Sequence, residues 1–80
     1  MGSKAILKNR TYNLELMITE KRRVEDILAY ANFIRKKMFE NQIFDTESID
    51  KVISEVSLDN CNIERIGVAL DELDKLFDTA

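Results

Sequence analysis

Eighty residues with twelve Lys/Arg, fifteen Asp/Glu, two Gly, one Cys and neither His nor Pro bound the chain to one small domain. That inventory excludes an internal disulfide, an imidazole metal ligand, a Ser-His or Cys-His catalytic pair and a glycine-rich phosphate loop. Charge is divided along the chain: residues 1–43 carry nine Lys/Arg against five Asp/Glu, whereas residues 44–80 carry three against ten.

With no Pro, and no Gly between Gly2 and Gly67, little in the sequence interrupts a helix, and an all-α domain spanning residues 1–80 is expected. A domain of this size buries only about 60% of its unfolded surface. We therefore expect a small three-helix bundle, one helix long and two shorter, completed by dimerisation. The lone Cys61 suits a reducing compartment. The longest apolar run, residues 27–31, is far too short to span a membrane. The expected location is the cytoplasm.

Met1-Gly2-Ser3 reads as an expression scar, because a myristoylation signal needs Ser or Thr where Ile6 stands. Residues 4–11 suggest no defined element and are expected to be flexible. Over 4–18 two patterns compete. Tyr12, Leu14, Leu16 and Ile18 alternate with Asn13, Glu15 and Met17, a strand signature. Leu7, Leu14, Met17, Val24, Leu28 and Ala31 nearly keep a heptad seam instead. Lys21-Arg22-Arg23 would oppose the dipole in the first turn of a helix starting at Thr19. One long helix over about 12–41 avoids that conflict and is preferred, with a strand over 4–18 as the alternative.

The clearest stretch of that helix is 20–41, where Val24, Ile27, Leu28, Ala31, Ile34 and Met38 share one face. Tyr30 lies at its edge and Phe33 nearly opposite, so both are candidates for a contact surface. Arg35-Lys36-Lys37 suit the negative end of the dipole. The second helix spans about 46–56, capped by Asp45 or Thr46, with Ile49, Val52, Ile53 and Val56 as its stripe. The third spans about 60–77, capped by Asp59 or Asn60. Its stripe is Ile63, Ile66, Leu70, Leu73 and Phe77, with Val68 facing away. Gly67 inside this helix marks an expected close approach to a neighbouring helix.

No catalytic residues, cofactor or metal site is expected. Asp45-Thr46-Glu47-Ser48-Ile49-Asp50 lacks the glycine that a calcium loop needs at its sixth position. Asp71, Glu72, Asp74 and Asp78 fan round a helix rather than converge. Residues 52–66 resemble a helix-turn-helix, with Ser57 at the usual glycine position, Leu58 as turn hydrophobe, and Ile63 and Ile66 as the buried pair. The exposed start of the second helix in that stretch is acidic, which suits packing better than phosphate contact. An alternating segment followed by helices is also similar to the ribbon-helix-helix regulators. In them Asn13, Glu15 and Met17 would face the groove, with Lys4, Lys8 and Arg10 on phosphates.

The preferred reading is a non-enzymatic helical interaction module, a regulator that self-associates as a homodimer and binds a protein partner. Its expected partner-binding residues are Lys21, Arg22, Arg23, Tyr30, Phe33, Glu64, Val68, Asp71 and Asp74. The alternative is a DNA-binding transcriptional regulator built on one of the two resemblances. No membrane partner is expected.

Overall fold

Four helices, rather than three, follow one another in the computed structural model, which describes residues 3–58 and 62–78. They are α1 (Ser3–Thr19), α2 (Val24–Glu40), α3 (Glu47–Val56) and α4 (Ile63–Asp78). No strand occurs among the described residues, so the all-α class holds and the strand alternative for 4–18 does not. None of these helices is long and apolar enough to cross a membrane.

The expected long helix breaks at residues 20–23. Lys21 adopts the left-handed conformation (φ 57°). Its N–H donates to the Ile18 carbonyl (3.1 Å) and the Arg22 N–H to that of Met17 (3.0 Å), the paired bonds of a Schellman cap. The same device ends α2: Gln42 has φ 63°, its N–H bonds Phe39 (3.0 Å), and the Ile43 N–H bonds Met38 (2.8 Å). Helices that end this way usually fill this position with Gly, which has no Cβ to clash. Here Lys and Gln occupy it, so the sequence carries no break signal. The turn also resolves the dipole conflict, because Lys21, Arg22 and Arg23 precede α2 while Glu25 and Asp26 occupy its first turn.

α1 is helical from Ser3, so residues 4–11 are part of it. It buries Leu7, Thr11 and Leu14, spaced i, i+4, i+7, with Ile18 half-buried below them. The buried Thr11 hydroxyl donates to the Leu7 carbonyl one turn back (2.9 Å), which offsets the loss of water. Tyr12, Leu16 and Ile6 point outward, and their interleaving with the buried set produced the false period of two.

Each helix packs on two neighbours, α1 on α2 and α4, α3 on α2 and α4. The helices therefore form a square ring. Side-chain contacts fix the directions. Arg10 meets Phe33 while Asn13 meets Tyr30, so α1 and α2 are antiparallel. Ser48 meets Glu72 while Glu55 meets Asn62, so α3 and α4 are too.

The core draws on all four: Leu7 and Leu14; Ile27, Ala31, Ile34 and Met38; Ile49, Val52 and Val56; Ile66, Ala69, Leu70, Leu73 and Phe77. Three positions depart from the expected stripes. Val24 and Ile63, the first residues of α2 and α4, are exposed. Gly67 marks no close approach, since a Cβ placed there would meet nothing within 4 Å.

The left-handed caps yield a stability prediction. Relieving a penalty of about 1–2 kcal/mol against the entropy that Gly loses, about 0.5–1 kcal/mol, should make Lys21→Gly and Gln42→Gly each stabilising. Urea unfolding should show a gain of about 0.5–1 kcal/mol per site. A loss at either site would mean that the Lys or Gln side chain holds its turn by contacts of its own.

Candidate functional site

Folding the ring turns the linear charge split into a spatial one. α1 and the 20–23 turn, each with three cations against one carboxylate, lie on one side with α2, whose three cations are balanced by three carboxylates, and acidic α3 and α4 form the opposite side. The halves meet at two seams, each bridged by an ion pair. On the α1–α4 seam Lys8 Nζ binds Asp78 Oδ1. On the α2–α3 seam Arg35 Nε binds Asp50 Oδ1 (2.8 Å), whose other oxygen accepts from Thr46 Oγ1 (3.0 Å). Such exposed pairs contribute at most about 1 kcal/mol each. Thr46 is the residue at the N-cap of α3, although its side chain makes no capping bond to the backbone.

On the acidic side, α3 and α4 border an open cleft of about 1070 Å³. Six carboxylates line it (Asp45, Glu47, Asp50, Glu55, Glu64 and Glu72) against two cations, Lys51 and Arg65. Lys51 Nζ lies 3.7 Å from both Glu47 and Glu72, so its charge is already shared. Two apolar side chains open onto the cleft: Phe44 is 68% exposed and Val68 59%. Phe44 is braced by Phe39, at a centroid distance of 5.8 Å, and Arg35 lies over the Phe39 ring (5.0 Å). Asn62 closes the far end. Its side-chain oxygen accepts from the Glu64 (3.0 Å) and Arg65 (3.3 Å) N–H groups, and its own N–H donates to Glu55 (3.2 Å). Asn62 thus caps α4, while Asp59 and Asn60, the expected caps, lie outside the described residues, as does Cys61.

On the basic side, the Phe33 ring is half-buried between two cations, with Arg10 Cζ 4.8 Å and Lys37 Nζ 5.5 Å from its centroid. The Arg10 Nε is buried without a hydrogen-bond partner, and the ring face is its compensation. Tyr30 stands 6.3 Å from Phe33, and its hydroxyl accepts from Asn13 (3.5 Å). Several cations pair locally, Arg22 with Glu20, Arg23 with Glu25 and Lys37 with Glu40.

The residues singled out from sequence therefore separate into three places. Lys21, Arg22 and Arg23 form the α1–α2 turn, and Tyr30 and Phe33 lie under α1 side chains. Glu64 and Val68 line the large cleft, whereas Asp71 and Asp74 line a smaller α1–α4 groove of about 360 Å³ with Tyr12 and Gly67. Sequence reasoning missed Phe44, Lys51, Glu55 and Glu72, which reach the cleft from segments far apart in the chain. Among the described residues no three acidic or cysteine side chains converge as metal ligands.

Neither DNA-binding resemblance finds its geometry. Ser48 and Glu72, each well away from the α3–α4 connection, still touch, so the two helices form an antiparallel hairpin rather than the open angle of a helix-turn-helix. Leu58, the turn hydrophobe of the resemblance, is 56% exposed, and of its buried pair Ile63 is 62% exposed while Ile66 is buried. Residues 12–18, the ribbon of the other resemblance, are helical.

No protein-family model matches this chain, and no curated protein or solved structure matches it either. The chemistry of its surface is the guide to what it does.

The α1–α4 seam gives a pH prediction. The hydrogen bond to Asp78, opposed by desolvation and aided by the Asp78 and Asp74 charges, raises the Lys8 ammonium above its usual range. A raised folded value stabilises fully below the unfolded lysine value, about 10.4, and that contribution disappears as pH climbs through the folded value. The melting-temperature gap between wild type and Lys8→Met should be steady near neutrality and close in strong alkali. A gap that persisted there would assign the effect to the packing of the lysine stem.

Proposed function

We propose that this chain is a small non-enzymatic helical interaction module that binds a protein partner, with regulation by occupancy as its mode of action in the cytoplasm. The observation that carries this reading is the α3–α4 cleft, where exposed Phe44 and Val68 are framed by carboxylates on the side opposite the cations. An apolar centre within a charged rim is the anatomy of a recognition surface. Segregated charge further favours fast, oriented encounter with a partner of opposite sign. The burial that suggested a dimer is met within one chain by α1, so partner binding is the part of the reading that the fold favours over self-association.

Nucleic-acid binding through the basic side is the second reading, favoured by the Arg10–Phe33–Lys37 cluster. A photo-crosslinking residue placed at Val68 in one variant and at Lys36 in another separates the two in the source cells. The protein-module reading expects an adduct at position 68 that protease destroys and nuclease does not. Nuclease-sensitive adducts at position 36, with none at 68, would overturn it.

A further inference from the structure

Building on the partner-binding reading, we infer that the α3–α4 cleft seats one cationic amphipathic helix of the partner protein. The shape of the cleft points to a helix. Two antiparallel helices present parallel ridges with a furrow between them, and a third helix packs into such a furrow ridge into groove. The described residues offer no sheet edge on which an extended peptide could add a strand. α3 has ten residues and is therefore about 15 Å long, enough for about three turns of a docked helix.

Charge selects the sign of that helix. Of the two cations on the cleft wall, Lys51 is shared by Glu47 and Glu72, while Glu64 has no ion-pair partner among the described residues. Lys or Arg flanking an apolar stripe would meet this excess of carboxylates, and the stripe would meet Val68 along the furrow and Phe44 at its end. Burial of those two side chains supplies affinity, and the carboxylates supply orientation and rejection of acidic helices.

A second copy of the chain fits less well. Its α2, where Arg35, Lys36 and Lys37 are balanced by three carboxylates, already turns its apolar stripe, Ile27, Ala31, Ile34 and Met38, into its own core. Its basic cluster is held against its own Phe33. Because the acidic and basic sides are opposite, copies joined through them would stack head to tail without closing. A foreign helix carries no such constraint.

The test uses the full chain and three synthetic peptides of about four turns. One has leucines at i, i+3, i+4 and i+7 flanked by lysines; one has the same composition scrambled to destroy the stripe; one has glutamate for lysine. The patterned peptide should shift amide resonances of Ser54, Glu55, Val68 and Glu72 and bind about tenfold or more tighter than the scrambled one. The acidic peptide should not bind. Val68→Asp, at an exposed position, should abolish the difference between patterned and scrambled peptides while leaving the melting curve unchanged.

Equal binding of patterned and scrambled peptides, shifts spread over the whole surface, or concentration-dependent self-association perturbing these same residues would each overturn the inference. Failure here alongside a protease-sensitive adduct at position 68 would remove the cationic helix and leave the partner-binding reading standing. Failure of both would remove the reading itself.

Discussion

The insertion of α1 between α2 and α4 is the constraint on which the rest of the structure depends. Leu7 and Leu14 are fully buried there and Thr11 nearly so, with its hydroxyl satisfied by its own helix. Removing these side chains would leave α2, α3 and α4 as an open sheet of helices with one apolar flank uncovered. An eighty-residue chain has little stability to spare for such exposure. Because α1 closes the ring, the core is satisfied within one chain. What remains outside is then free to carry specificity.

Closure also decides how charge is displayed. Were the first forty residues one long helix, their cations would be spread along a rod of about 60 Å. Folding that segment back on itself at Lys21 stacks the cations on one side and leaves α3 and α4 to carry the carboxylates on the other. The seams between the halves hold Lys8–Asp78 and Arg35–Asp50, so part of the charge split favours the correct arrangement of neighbours. The rest, on the outer sides, is not consumed by folding. The surplus of carboxylates around Phe44 and Val68 is the larger share of it.

How much of this was legible in the sequence varied with the mechanism that set each element. α3 and most of α2 and α4 were legible because their apolar residues recur every three or four positions and each stripe is turned to the core except at its first residues, Val24 and Ile63. Ile49, Val52 and Val56 show this, as do Ile66, Leu70, Leu73 and Phe77. α1 was not, because exposed Tyr12 and Leu16 interleave with buried Leu14, and no pattern rule knows which apolar residues will face water. The break at residues 20–23 was hidden by chemistry of a different kind: the left-handed positions are filled by Lys21 and Gln42, which local preference disfavours there, and the paired backbone bonds of the caps accompany them. The cleft was legible only in Glu64 and Val68, since Phe44, Lys51 and Glu55 reach it from other segments. Gly67 misled, because a glycine in a helix suggests contact and this one faces open space.

The central claim is that α1 docks antiparallel on α4 to close a four-helix ring within a single chain. Paramagnetic relaxation tests it most directly. A nitroxide on Lys8→Cys, with Cys61→Ser leaving one thiol, should broaden the amides of residues 74–78 much more strongly than those of α3, which lies diagonally across the ring. Dilution with unlabelled protein should leave that broadening unchanged. Broadening confined to α1 itself, or broadening of α4 that faded on dilution with unlabelled chains, would contradict the account.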